Sequence, residues 1–314
     1  MTNPAVESIE NNLKNIKPTI STEPRWLGLG DVIWFLPIVK KLSLVFEQKI
    51  NVVTQYPQIF RNNPYVNAIY DLDSFDMSSQ NDNHYFFRPF SDDRGILWFN
   101  VNNKQLIANK CRLSLMPHEE EMEFFPDANT VRDLPSKYIL LNASIRGPDR
   151  DLGQKNWQKL ADILNSHNIP VVVEGPENST HKLEIKNGTD LRGKTNSLSE
   201  TWHVINQSSA FVSFDTGMYI LAGTTKAQIF LINSYFEPHW HKPFRNGSYD
   251  YKFDVIEGSC SEKCMSNFKY YITNIGLYQP RVQICPIGIN FKCVPTVEKI
   301  SQKLINYWNQ LRTN

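Results

Sequence analysis

The sequence predicts an α/β protein of parallel, doubly wound sheets, arranged as two domains. Three observations carry that expectation. The chain has 314 residues, long for one core and comfortable for two. Its second half alternates short apolar runs with amphipathic helical patterns, the order that builds a parallel sheet. Glycine turns open helices at Gly28-Leu29-Gly30-Asp31 and at Asp215-Thr216-Gly217, and ligands of such sheets bind where strands end and helices begin.

The elements follow in order. A polar lead-in carries a short amphipathic pattern (Val6, Ile9, Leu13, Ile16) and is expected to be peripheral. Asp31 is a good helix N-cap, and apolar residues from Val32 to Val45 recur near the helical period. Pro37 lies too deep for a first-turn proline and should kink or interrupt that helix. Ile50–Thr54 reads as a strand, and Tyr65–Tyr70 as a second after the turn Asn62-Asn63-Pro64. The pattern is weak from Asp71 to Phe99. Residues 103–115 look helical, and the acidic stretch 116–135 reads as an edge or linker. Strands are then expected at Tyr138–Leu141, Val171–Glu174, Ala210–Phe214 and Ala227–Ile232, with helices at Asn156–His167 and Leu198–Gln207. This places Ser144, Gly175 and Asp215–Gly217 on one rim. Thr296–Leu311 is an amphipathic helix. The expected domains are 1–135 and 136–295, with the helix of 296–314 set to pack back on the first.

Composition limits the function classes. Lys plus Arg total 33 and Asp plus Glu total 32, a net charge of +1, so no global field gathers a polyanion. The longest unbroken apolar run, Val32–Val39, falls far short of the roughly 20 residues that span a bilayer. The N-terminus lacks the apolar core of a signal peptide. A cytoplasmic protein is expected, free or peripheral to the inner face of the membrane. The triplets Asn142-Ala-Ser and Asn246-Gly-Ser then occur by chance rather than for glycosylation.

Both glycine turns suit chemistry as well as capping. The first turn of a helix offers free N–H groups and a positive dipole end to a phosphate, and Gly217 lets backbone approach closely. Asp215 is anionic and better suited to holding its own turn than to touching phosphate. In the other turn, Asp31 places a carboxylate where an acceptor hydroxyl would lose its proton. A positioned general base contributes ~10²–10⁴ in rate. The turn is not a dinucleotide fingerprint, because its third glycine is missing, which disfavours an oxidoreductase.

The segment LGLGDVIWFLPIVKKL, with INVVTQYPQIFRNNPYVNAIY, KNWQKLADIL, VVVEGPE and LRGKTNSLSETWHVINQSSAFVSFDTG, resembles in order the ADP-heptose:lipopolysaccharide heptosyltransferases of glycosyltransferase family nine. The resemblance implies a GT-B arrangement, two Rossmann-like domains facing across a cleft, with acceptor on the first and donor nucleotide on the second. It implies inverting, metal-independent transfer. The family's proposed base falls on Asp31, in the acceptor-side turn of Gly28 and Gly30. Its donor-side residues fall on Ser144, Lys155, Glu200, Asp215, Thr216 and Gly217. Gly175 lies on the same rim. Arg146 and Arg150, in a longer loop than the family's, are within reach of a phosphate or else surface charges. Where the family has a histidine after the Asp-Thr-Gly turn, this chain has Ile220, which leaves the donor's identity open.

Cys260, Cys264, Cys285 and Cys293 gather four thiols in a short span, whereas Cys111 stands alone as a small apolar residue. Four thiolates suit a structural zinc or iron, with free or oxidised thiols as the alternative. Asp71-Leu72-Asp73 is a common tripeptide, read as loop rather than metal site. His239-Trp240-His241, beside Pro238 and Pro243, is read as a loop near the donor. The expected partner is a nucleotide-sugar donor of ADP or UDP type. The expected acceptor is a hydroxyl of a surface saccharide, with a protein side chain or a hydroxymethylated phage DNA base as alternatives. A non-catalytic nucleotide-sugar-binding protein is the alternative of another class.

Overall fold

The computed structural model describes residues 17–23, 27–75, 84–87, 103–131, 133–146, 150–234, 238, 241–260 and 291–313. The amphipathic pattern at Val6–Ile16 lies outside them. The chain forms two compact units, Met1–Pro126 and Asp127–Asn314.

The first unit holds β1 (Lys17–Ser21), α1 (Leu29–Ile33), α2 (Leu36–Val45), β2 (Ile50–Thr54), β3 (Val66–Asp71), β4 (His84–Phe87) and α3 (Asn103–Lys110). Its sheet runs β3-β2-β1-β4, every pair parallel, with Ile20 opposite Val52. The expected long helix is two. The chain breaks at Trp34–Phe35 and restarts with Pro37 in the first turn of α2, where a missing N–H costs nothing. The helix also starts earlier than expected. Gly28, extended, is the N-cap, and Asp31 sits three residues in, its carboxylate reaching back to accept the Gly28 N–H at 2.7 Å. An acid there satisfies a donor that a glycine cap cannot.

The acidic stretch after α3 is a strap on the helices. Glu123 pairs with Lys40 and Glu119 with Lys41. Buried Glu120 pairs with buried Lys104 at 3.3 Å. The first unit ends at Pro126, nine residues before the expected boundary. From Asp127 the chain is tied to the second unit, where Ser199 Oγ accepts the Asp127 N–H at 3.0 Å and His203 bonds its carbonyl at 2.7 Å.

The second unit holds β5 (Ile139–Leu141), α4 (Gln154–Ser166), β6 (Val171–Val173), β7 (Gly188–Asp190), α5 (Leu198–Gln207), β8 (Ala210–Phe214), α6 (Gly217–Ala222), β9 (Gln228–Asn233), β10 (Phe253–Glu257) and α7 (Val297–Thr313). All six strands are parallel, in the order β10-β9-β8-β5-β6-β7. Every residue of β5, β6 and β8 is buried, as in a sheet covered on both faces. The apolar stripe of α4 (Trp157, Leu160, Ala161, Leu164) and that of α7 (Ile300, Leu304, Trp308) join one core with the sheet. The last helix, for which a seat on the first domain was expected, is thus seated in the second unit. Among the described residues no helix is long and apolar enough to cross a membrane.

Candidate functional site

In the second sheet β5 leads outward to β6 on one side, and β8 to β9 on the other. The carboxyl ends of β5 and β8 therefore flank the point where strand order reverses, the crevice in which ligands of open α/β sheets bind. Small polar side chains meet there. Asn142 follows β5. Its Oδ1 lies 2.8 Å from the Ser144 hydroxyl, 3.1 Å from that of Ser213 and 3.4 Å from that of Thr216. Its Nδ2 donates to the Glu174 carbonyl at 3.3 Å. One buried amide thus holds together the ends of β5, β6 and β8. Thr216 caps α6, accepting the Tyr219 N–H at 3.3 Å. The structure brings Ser144, Gly175, Thr216 and Gly217 to this rim as expected, around a hub, Asn142, that the sequence had offered only as a chance glycosylation triplet.

Gly175 is conformationally demanding. Its φ is +141°, and a Cβ would lie 2.4 Å from the Thr180 hydroxyl, so any other residue is strained there and displaces the Thr180 side chain. That loop pairs back on Ser144 through an antiparallel bridge.

Asp215, next to Thr216, collects basic side chains. His241 Nδ1 lies 3.1 Å from its Oδ1. Arg150 donates to its carbonyl at 3.4 Å and stands 3.9 Å from its Oδ2. Burial raises the carboxyl's pKa, but His241, Arg150 and Arg146 outweigh it and hold Asp215 below the ordinary range. Asp215 was expected to hold the N–H groups of its own turn; its carboxylate instead faces His241 and Arg150, which come from other segments. His241 has come from the β9–β10 connection to reach it, while Ile220, in the place of the family's histidine, is buried apolar core.

The loop that brings Arg146 and Arg150 is organised by Asp151. Its carboxylate accepts the Trp157 Nε1–H at 3.0 Å, the Gly153 N–H at 2.8 Å and the Arg146 N–H at 3.3 Å, and meets His181 Nε2 at 2.8 Å. Lys155 follows, exposed, in the first turn of α4. Glu200 lies in the first turn of α5, where Thr130 and the Asn196 N–H bond its carboxylate. The Thr130 hydroxyl first, then the Asn196 N–H, lower its pKa.

In the first unit the Gly28–Asp31 turn follows β1, again where the strand order reverses, between β1 and β4. Tyr56, just after β2, stands close enough that the Asp31 charge, after burial, raises its phenol pKa. Gln55 donates to the Leu27 carbonyl, and the Thr22 and Thr54 hydroxyls bond at 2.9 Å. The turn is thus tied to the end of β2.

Of the four clustered cysteines, Cys264 and Cys285 lie outside the described residues. The other two lie on segments zipped together. Cys260 N–H donates to Lys292 O at 3.1 Å and Gly258 N–H to Cys293 O at 3.0 Å. A Cβ on Gly258 would sit 2.2 Å from Lys292 O, so only glycine permits this approach. Among the described residues no group of three or more potential ligands gathers. Burial pushes the Cys111 thiol up to about 12, consistent with an inert apolar filler. Asp71 Oδ1 accepts the N–H groups of Asp73 and Ser74, an ordinary turn-forming role. His239 and Trp240 lie outside the described residues.

With this geometry in hand, comparison with known proteins is decisive. The family model for glycosyltransferase family 9 (heptosyltransferase) matches residues 83–244, just over half of the chain. The chain belongs to glycosyltransferase family 9. A comparison with curated proteins gives no match. Among solved structures, a family 9 glycosyl transferase from Veillonella parvula DSM 2008 superposes with a TM-score of 0.64 at 13% identity, covering 94% of this chain and 98% of that one. The iron-containing dodecameric glycosyltransferase TibC from enterotoxigenic E. coli H10407 gives 0.67 at 13% identity, covering 95% and 81%. A further TibC structure holds ADP-D-beta-D-heptose. E. coli ADP-heptose lps heptosyltransferase II gives 0.55 at 11%, covering 95% and 100%. At such identities the likeness concerns fold, a parallel-sheet α/β fold of the GT-B glycosyltransferase class. This family 9 chain is a heptosyltransferase-like glycosyltransferase.

Proposed function

We propose that this glycosyltransferase moves a heptose-type sugar from a nucleoside-diphosphate donor to an acceptor hydroxyl, with inversion. An ADP-type donor is favoured over a UDP type, because relatives have been solved with ADP-D-beta-D-heptose and with ADP. The acceptor we favour is a saccharide hydroxyl of the lipopolysaccharide-core type, by analogy with the E. coli lps heptosyltransferase.

The observation supporting this reading is the crevice at the β5/β8 reversal, lined by hydroxyls around Asn142 and flanked by guanidinium groups. In the reaction, Asp31 takes the proton of the acceptor hydroxyl as its oxygen attacks the anomeric carbon. The bond from that carbon to the diphosphate oxygen breaks, and the diphosphate departs with the bonding electrons. Its growing charge is met by Lys155 and Arg146, with hydrogen bonds from Ser144 and the Thr216–Gly217 turn. These cations make the transfer metal-independent at the reaction centre. Gly28 leaves room for the Asp31 carboxylate, from which a Cβ there would stand only 3.3 Å, and Gly30 lies in the same turn. Glu200, in this scheme, shapes the α5 start beside the donor.

The test is transfer from ADP- and UDP-linked sugars by wild type and Asp31→Asn, with donor binding measured alongside. Loss of turnover by ~10²-fold or more with donor affinity kept is the expected result. Full turnover in the variant would remove Asp31 as base, and no binding of any nucleoside diphosphate by wild type would remove the donor reading.

We also propose that Cys260, Cys264, Cys285 and Cys293 hold a structural zinc or iron. The thiol set suits either metal, and the zipped Gly258–Cys260 and Lys292–Cys293 segments bring two of the four together. Such a metal would pin the chain ahead of α7.

A further inference from the structure

We propose that Asp151 is a positioning residue for the transfer. Its carboxylate clasps the β5–α4 connection shut against His181, and so fixes Ser144 and Lys155 in one arrangement for the donor diphosphate. The proposal rests on the donor reading above and deepens it, because Asp151 acts through those two residues and does not itself touch the ligand.

The carboxylate gathers hydrogens from both ends of the connection. The Arg146 N–H, two residues after Ser144, donates to Oδ2 at 3.3 Å. The Gly153 N–H, two residues before Lys155, donates to Oδ1 at 2.8 Å. The Trp157 Nε1–H reaches the same Oδ1 at 3.0 Å from within α4. His181, in the β6–β7 connection, meets Oδ2 through Nε2 at 2.8 Å. Both oxygens are thus engaged, and the side chain is only 9% exposed. A carboxylate spent in this way on its own surroundings is a poor neighbour for phosphate and a good fastener.

The points to which it is fastened are themselves held. The Trp157 indole is fully buried in the core of the second unit, edge-on to the Phe214 ring at the end of β8. The His181 N–H donates to Ala143 O at 2.9 Å, Thr180 bridges Ser144, and the Ile145 N–H donates to Ser179 O at 2.8 Å. Residues 179–181 therefore run beside 143–145. Gly153, with φ +77°, turns the chain into α4. One carboxylate thus ties the end of β5, the start of α4 and the β6–β7 connection to a common frame.

The consequence is preorganisation. Ser144 and Lys155 stand at opposite ends of the clasped connection. A diphosphate that engages both needs both ends in register, whereas a single phosphate needs only one. With the clasp closed, the ordering is complete before the ligand arrives and does not weaken its binding. With the clasp open, the diphosphate must order the connection itself. Charge alone argues the other way. Removing a carboxylate near the phosphates should tighten the binding of an anion. The two effects on diphosphate affinity are therefore opposite in sign.

The experiment is titration calorimetry of the full-length chain with ADP, UDP and GDP and the matching monophosphates, for wild type, Asp151→Ala, Asp151→Asn and His181→Ala. Asp151→Ala should bind the diphosphate ~10-fold more weakly and the monophosphate within about twofold of wild type. Asp151→Asn keeps an acceptor for Gly153 and Trp157 and should recover part of the loss. His181→Ala leaves the bonds to Arg146, Gly153 and Trp157 in place. It should weaken the diphosphate selectively, to a smaller extent, and it decides the matter alone if Asp151→Ala does not fold. Diphosphate affinity equal to or above that of wild type overturns the proposal. So does an equal loss for di- and monophosphate, the mark of a merely structural role. Either result leaves the donor reading intact. If wild type binds none of the three diphosphates, the donor reading falls and the proposal with it.

Discussion

Glu174 and Asp215 end neighbouring parts of one rim, yet burial leaves them on opposite sides of the ordinary carboxylate range. Asp215 has cations to reverse the effect of burial. Glu174 has none. Burial raises its pKa, although the hydroxyls of Thr201 and Thr195 bond its Oε1 at 2.8 and 2.9 Å. Its Oε2 is buried with no hydrogen-bond partner among the described residues. The consequences for stability differ in sign. Above the unfolded value the native state keeps a proton on Glu174 that the unfolded chain releases. Its contribution is therefore complete at acid pH and lost as pH rises through the raised folded value. That of Asp215 is complete above the unfolded value and lost as pH falls through the depressed one. Glu174→Gln keeps an acceptor for both threonines and never ionises. We expect the variant to be more stable than wild type near neutral pH, by about 1.4 kcal/mol for each unit by which burial raises the Glu174 carboxyl. The advantage should vanish near pH 4. Urea denaturation of both proteins across pH measures this, and a gap that does not change with pH would refute the assignment to Glu174.

At the scale of elements, the segments around the cysteines make a comparable prediction. Gly258–Cys260 and Lys292–Cys293 are zipped by backbone bonds, so a metal held by the four thiolates would lock the connection that delivers α7. Elemental analysis of purified chain should find about one zinc or iron per molecule, and Cys260→Ser should lose most of it. Metal-free wild type would end the proposal. Elements with strong local signals were legible in the sequence. α5 and β8 lie where read, because Ser197 caps the helix and five buried residues make the strand. Pro37 announced the break before α2. The strands β4, β7 and β10 were not anticipated. β7 is Gly-Thr-Asp at a sheet edge, too short and polar for a period, and it pairs with β6 only because Gly188 lets Val171 O approach. The site divides in the same way. Ser144, Gly175 and Thr216 were readable as strand ends. Asn142 was not, because an amide hub joining residues up to 74 positions apart leaves no local trace, and His241, read within a loop near the donor, was not foreseen as the partner of Asp215, 26 residues away.

At the scale of the whole molecule, each unit carries its own parallel sheet and its own strand-order reversal. Residues proposed to hold the donor lie in Asp127–Asn314, and the proposed base lies in Met1–Pro126. Donor and base thus depend on separate cores, and a ligand of one core stabilises that core directly. Calorimetry of the full chain should therefore resolve two unfolding transitions, only one of which moves with nucleoside diphosphate. At 100 times its dissociation constant the ligand contributes about 2.7 kcal/mol, which for a unit of this size raises Tm by roughly 5–10 °C. Hydrogen exchange assigns the transitions. Amides of β5, β6 and β8 should gain protection with the moving one, while those of β1 and β2 keep their exchange rates. A single transition that shifts as a whole, with protection gained equally in β2 and β8, would show that nucleotide binding engages both cores at once. The separation of donor site from base drawn from the two sheets would then be wrong.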